Sequence, residues 1–161
     1  MTAQFGTLAA HKLPSCGRVA YNCRILEVLS QQVREWHCGG FRTASEGEFR
    51  APGVEIRFPF HSSLTQQNDF VHAGAITSIL DSACGYAALS VVPEGHDVLS
   101  VEFKVNFLAP AVGEEFCARS QVKRAGKTLI VCAADAFACK NGEEKLVATM
   151  LATIMALQPN R

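Results

Sequence analysis

The sequence predicts an α+β domain: an antiparallel sheet wrapped around one long central helix. Three features point to it. Residues 75–91 form one long apolar stretch with helical periodicity, four β-rich runs follow it, and short turn signals separate those runs. Such a sheet must bury one face, and the Ala-rich helix is the element best able to cover it.

The elements follow in chain order. Residues 1–18 carry no clear pattern and include Pro14 and Gly17, which predicts an arm. In residues 24–36, Leu26, Leu29, Val33 and Trp36 are spaced by three, four and three, a short amphipathic helix closed by Gly39-Gly40. The expected division is therefore an arm with a short helix over 1–40 and a single domain over 41–161. Val54-Glu55-Ile56-Arg57-Phe58 alternates apolar and charged residues, as a strand with one wet face does, and Pro59 ends it. The period then changes. Ile76, Ile79, Leu80, Ala83 and Ala87 stand at i, i+3, i+4, i+7 and i+11, with Gly74 at the entry and Pro93-Glu94-Gly95 at the exit. Strands are expected over 98–108, 115–123, 128–139 and 146–157, divided by Pro110, Ala125-Gly126 and Asn141-Gly142. Asn-Gly is the strongest of these turn signals, because both residues accept the positive φ of a tight hairpin.

Composition narrows the function. Of 161 residues 48% are apolar, and 15 Lys+Arg balance 15 Asp+Glu. A polyanion-binding protein normally carries a basic excess or a basic face, so nucleic acid is not an expected partner. So apolar and neutral a chain is expected to bury surface in an oligomer. The seven cysteines are odd in number and show no C-x-x-C spacing, which fits free thiols in a reducing compartment. There is no leader-like start and no run of the ~18–20 apolar residues a membrane span needs, so the expected location is cytoplasmic.

Asp81 is the one charged residue between Ala73 and Val92. It sits at the border of the helix's apolar stripe beside the small residues Thr77, Cys84 and Ala88. An acid this far along a helix gains little from the dipole and costs free energy if buried without partners. It is either a functional carboxylate or one that escapes to solvent. His72, nine residues earlier, is either a packed or backbone-bonded structural residue or a catalytic one. Ala73-Gly74 opens the helix, where unpaired N–H groups point outward and a small side chain lets an acyl oxygen approach; the same pair also suits an ordinary tight turn. The polar run Thr65-Gln66-Gln67-Asn68-Asp69 could hold a substrate or be a solvated loop. No Gly-x-Ser-x-Gly elbow, phosphate loop or metal-ligand set is present in the sequence.

The stretch from Gln66 through His72-Ala73-Gly74-Ala75 to Leu80-Asp81-Ser82-Ala83-Cys84-Gly85 resembles the PaaI-type (phenylacetyl-CoA thioesterase-like) branch of the hotdog superfamily. That branch shows Asn-x-x-Gly-x-x-His-Gly-Gly and then a helix with Asp nine residues after the His. Ser100-Val101-Glu102-Phe103, the run to Pro110, and Arg124-Ala125-Gly126-Lys127 are similar to its next strand and hairpin. The resemblance covers roughly residues 50–157 and implies the hotdog fold, a homodimer or homotetramer, and an acyl-CoA substrate split at the dimer interface without metal or bound cofactor. It assigns Asp81 as nucleophile or general base and Ser100 as holder of the water or the carboxylate. The Ala73 N–H would polarise the carbonyl, with Gln66 and His72 beside it on the opposite subunit. Gly74, Arg124 and Lys127 become substrate contacts. Three departures bear on substrate fit: Gln at 66 for Asn, Ala at 73 for the first Gly, and Asp69 for Gly. The alternatives are a non-catalytic acyl-CoA-binding hotdog protein and a hotdog acyl-thioester hydratase or dehydratase. The latter is disfavoured by the context around His72.

Overall fold

The computed structural model describes residues 35–38, 53–66, 68 and 70–158. The expected arm and most of the helix expected over 24–36 lie outside them. The end of that helix does not. Glu35 and Trp36 belong to a strand, β1 (Glu35–Cys38), antiparallel to β2 (Gly53–Pro59). An apolar spacing of a few residues does not outweigh the open edge of β2, whose backbone groups need partners. The sheet therefore begins before residue 41.

After β2 come a 3₁₀ turn at Ser62–Leu64 and the long helix α1 (Ala73–Leu89). Four long strands follow, β3 (Asp97–Phe107), β4 (Glu115–Ala125), β5 (Leu129–Lys140) and β6 (Glu143–Leu157). The sheet order is β1-β2-β4-β5-β6-β3, antiparallel at every pairing. β3 does not pair with the strand that follows it. It crosses to the far side and lies against β6, while β2 and β4 adjoin, so the sheet curls around α1. Asn141 and Gly142 have φ of 53° and 80° in the β5–β6 turn, the both-positive conformation that an Asn-Gly hairpin needs.

The helix begins two residues before the periodic run suggested and lies on the sheet through Ile76, Ile79, Leu80, Ala83 and Ala87, all buried against Val54, Phe58, Phe116, Ile130, Met150 and Ile154. Ser120 pins it from β4, its buried hydroxyl donating to the Ala83 carbonyl at 2.6 Å. Cys84, Cys117 and Cys132 are free thiols in the packed interior. Burial pushes Cys117 up to about 12 and Cys132 up to about 11, so neither is a ready thiolate.

On the outer face an ionic network clamps β2, β4 and β6. Glu55 accepts from Arg57 and from Arg119, the latter at 2.7 Å. Arg119 also grips Glu144 with two bonds of 2.6 Å and lies over the Phe137 ring at 4.9 Å. Burial pushes the Glu55 carboxyl up, but the two guanidiniums together more than offset this and hold it below the ordinary 4.5. A carboxyl depressed on folding stabilises above its unfolded pKa, and that stability is lost as pH falls through the folded value. Glu55→Gln is therefore expected to cost about 1–2 kcal/mol at neutral pH. Its loss of stability between pH 5 and pH 3 should be shallower than that of the unsubstituted protein in thermal melts. Parallel acid limbs would show that Glu55 does not carry this dependence.

Candidate active site

The chain enters α1 through a narrow loop. Thr65 and Val71 form an isolated antiparallel bridge, and the Gln66 N–H donates to the Phe70 carbonyl at 2.9 Å. Gln66 is thereby held at the loop mouth with its side chain exposed. The His72 N–H donates to Leu64 and the Val71 N–H to Ala111, which seats the helix start against the end of the sheet.

His72 is the helix N-cap. Its backbone is extended (φ −60°, ψ 137°), and its ring Nδ1 accepts the Gly74 N–H at 2.9 Å. A Cβ on Gly74 would stand 3.0 Å from Nδ1, so glycine leaves room for the capping ring. This gives His72 a structural task, and it means that Gly74 spends its N–H within the chain. With Nδ1 accepting, the neutral ring carries its proton on Nε2. The Ala75 and Ile76 N–H groups both donate to the His72 carbonyl. The Ala73 N–H is left: it has no acceptor among the described residues, and Ala73 is exposed. An open N–H at the positive end of a helix, behind only a methyl, is a suitable donor for an oxyanion.

Asp81 lies two turns further along, in the third turn of α1. It is half-buried, and Oδ1 accepts from the Ser100 hydroxyl of β3 at 2.6 Å. This bond depends on a bulge. The β3–β6 register steps from Ser100↔Ile154 to Glu102↔Thr153, which leaves Val101 unpaired. Val98 and Ser100 thus face the helix on one side of the bulge, and Phe103, Val105 and Phe107 face it on the other.

Asp81 and Ser100 are brought together, and Gln66, His72 and Ala73 gather at the helix start. The two groups are separate within one chain, since eight helical residues span about 12 Å. Arg124 and Lys127 are exposed at the β4–β5 turn, in contact with neither group. They lie near the Ser100 end of the sheet, because Ala125, Ile130, Ile154 and Ser100 are successive register partners. Three strand spacings put that turn roughly 14 Å from Ser100. Among the described residues no His, Cys, Asp and Glu cluster could hold a metal, and no helix is long and apolar enough to cross a membrane.

A long helix wrapped by a curled antiparallel sheet defines the hotdog class. Comparison with known proteins places the chain within it. Residues 68–145 match the family model of the thioesterase superfamily. A thioesterase family protein from Silicibacter pomeroyi, known from its crystal structure, is 42% identical, with 83% of this chain and 96% of that one covered and a TM-score of 0.68. The chain belongs to the hotdog-type thioesterase superfamily. A Bacillus halodurans protein crystallised with CoA shares the fold at 22% identity and a TM-score of 0.60, over 64% of this chain and 66% of that one. A candidate esterase of Saccharolobus solfataricus is 34% identical over 76 residues, 47% of this chain and 54% of that protein. The chain spans about half the length of the curated relatives it matches.

Proposed function

We propose that the protein hydrolyses acyl-CoA thioesters to a carboxylic acid and free CoA, in the manner of the PaaI-type branch. The observation that carries this reading is the Ser100–Asp81 hydrogen bond. It aims a carboxylate, on an otherwise uncharged helix, at the same side of the fold as an unused helix-start N–H. Ser100 occupies one Oδ1 lone pair and fixes the carboxylate plane; Oδ2 is left for the reaction. Acting as a base, Asp81 takes a proton from water while the water oxygen bonds to the acyl carbon. The carbonyl oxygen becomes an oxyanion held by the Ala73 N–H. Collapse breaks the C–S bond and the CoA thiolate takes the proton back from Asp81. Acting as a nucleophile, Asp81 would first form an acyl anhydride with loss of thiolate, and water would then cleave it.

The reading requires a homodimer, because one carbonyl must reach groups that a single chain holds about 12 Å apart. Asp81 and Ser100 of one subunit then meet Gln66, His72 and Ala73 of the other, and a tetramer would be two such pairs. Arg124 and Lys127 supply the cations for CoA phosphates at the end of the sheet where the thioester arm leaves Ser100. The CoA found with the Bacillus halodurans relative supports the substrate class. The cap bond of His72 weighs against a hydratase that would use this imidazole as its base. The substrate also favours a cytoplasmic location.

A thiol-release assay over short, long and aryl acyl-CoAs, with product analysis, tests the proposal. Free CoA and carboxylic acid in equal amounts are expected. A hydrated or dehydrated thioester, or tight binding without turnover, would replace it with one of the other two readings.

A further inference from the structure

We propose that Ser120 is a positioning residue for Asp81: from β4 it fixes the level and the rotation of α1, and so decides where the Asp81 carboxylate stands. The inference rests on the hydrolase reading for what Asp81 does, and it gives Ser120 no contact with substrate.

Ser120 is a polar residue in an apolar setting. It is 1% exposed, and its ladder partners are Val54 on one side and Ala134 on the other. Ala118 and Val122 stand two residues away on the same face of β4, and all four belong to the buried core. A hydroxyl taken out of water costs free energy unless it is bonded, and the bond does little more than offset that cost. For stability alone, alanine would serve here. The hydroxyl donates to the Ala83 carbonyl at 2.6 Å, while the Val54 carbonyl, at 3.5 Å, is too far to compete for the one proton. The helix already gives the Ala83 carbonyl its i+4 partner, so the bond from Ser120 is a second one and is not needed to satisfy that oxygen. What it adds is direction: one backbone atom of α1 is tied to one position of the sheet.

That tie matters because the packing around it is smooth. Ala83, Ala87 and Ala88 share the core with Ala118, Ala134 and Ala136. Short side chains make shallow ridges and grooves, which resist sliding and rotation less than interlocked long ones do. Asp81 precedes Ala83 by two residues, which is about 3 Å along the axis and about 200° around it. Ser120 therefore holds the sheet side of α1 at nearly the level where Ser100 of β3 holds the Asp81 side chain on the opposite flank, also at 2.6 Å. At a side-chain radius of about 5–6 Å, a helix rotation of about 10° moves the carboxylate by about 1 Å. A displacement of about 1 Å is enough to cost about 10² in rate.

Ser120→Ala and Ser120→Cys, made in the full chain, test the proposal. The first removes the hydroxyl. The second keeps the side chain's volume with only a weak S–H donor, so it stands in if a small void disturbs folding. Both are expected to melt close to the unsubstituted protein, because no carbonyl is left unsatisfied, and to lower kcat by about 10-fold to 10²-fold with KM within about two-fold. In the Asp81→Asn background the same substitutions are expected to change the residual single-turnover rate by less than about two-fold, since a residue that acts through Asp81 has nothing left to position. Full kcat in both Ser120 variants overturns the proposal, and so does an equal loss of rate with and without Asp81. The carboxyl-carbon NMR resonance of Asp81, assigned by its disappearance in Asp81→Asn, reads the Ser100 bond without any turnover. It is expected to move in the Ser120 variants, and an unmoved resonance overturns the positioning role whatever the rates. A moved resonance in a protein that hydrolyses no acyl-CoA would keep that role and remove the hydrolase reading; hydrolysis with the resonance and kcat untouched would do the reverse.

Discussion

Asp81→Asn is expected to lower thioester hydrolysis by about 10²–10⁴, the range a positioned acid–base group supplies, while leaving the fold in place. The substitution is close to isosteric, and the Asn Oδ1 still accepts the hydrogen bond that Ser100 now gives to Asp81 at 2.6 Å. What is lost is charge and the ability to take a proton or attack carbon. Single-turnover and steady-state rates on the best acyl-CoA of the panel, beside a thermal melt, provide the check. A variant that retains most of kcat with an unchanged melt would remove Asp81 from the chemistry and with it the observation on which the function rests.

Ala73→Pro is expected to lower kcat by about 10²–10³ at nearly constant stability, because it deletes the one backbone donor assigned to the oxyanion. The position allows an unusually clean deletion. Ala73 is the first residue of α1, where a missing N–H breaks no helical bond and a φ near −65° suits the helix. The preceding residue, His72, already has the extended backbone (φ −60°, ψ 137°) that a following proline demands. The Gly74 N–H that His72 accepts is untouched. Ala73→Gly, measured in parallel, keeps the donor and should keep the rate. Equal rates for the proline and glycine variants would place the reacting carbonyl away from residue 73.

Much of this protein was legible from residue order alone, because local patterns carry the information. The period of the Ile76–Ala87 run, the Asn-Gly at 141–142 and the alternation at Val54–Phe58 each follow from which faces must be buried or which φ values a turn requires. Asp81 stood out because charge in an apolar helix needs a reason, and the His72–Asp81 spacing with its PaaI-type resemblance supplied the chemistry to look for. The sequence could not show that residues 35–38 pair with β2, since the open edge that recruits them exists only once the sheet has formed. Nor could it show that β3 crosses to β6. Strand order is decided by which pairing closes the curl around α1, a long-range packing outcome with no local signature.

The site divides in the same way. The sequence by itself determined the residue types: an isolated carboxylate, a histidine before a helix, and a small residue at the helix start. Only the tertiary structure decided how they are used. The Val101 bulge turns Ser100 onto Asp81, and the His72 ring takes the Gly74 N–H and leaves that of Ala73 open. The physical reason is that a hydrogen bond between distant residues depends on where separate elements come to rest against a common core, and residue order constrains that only through the whole packing.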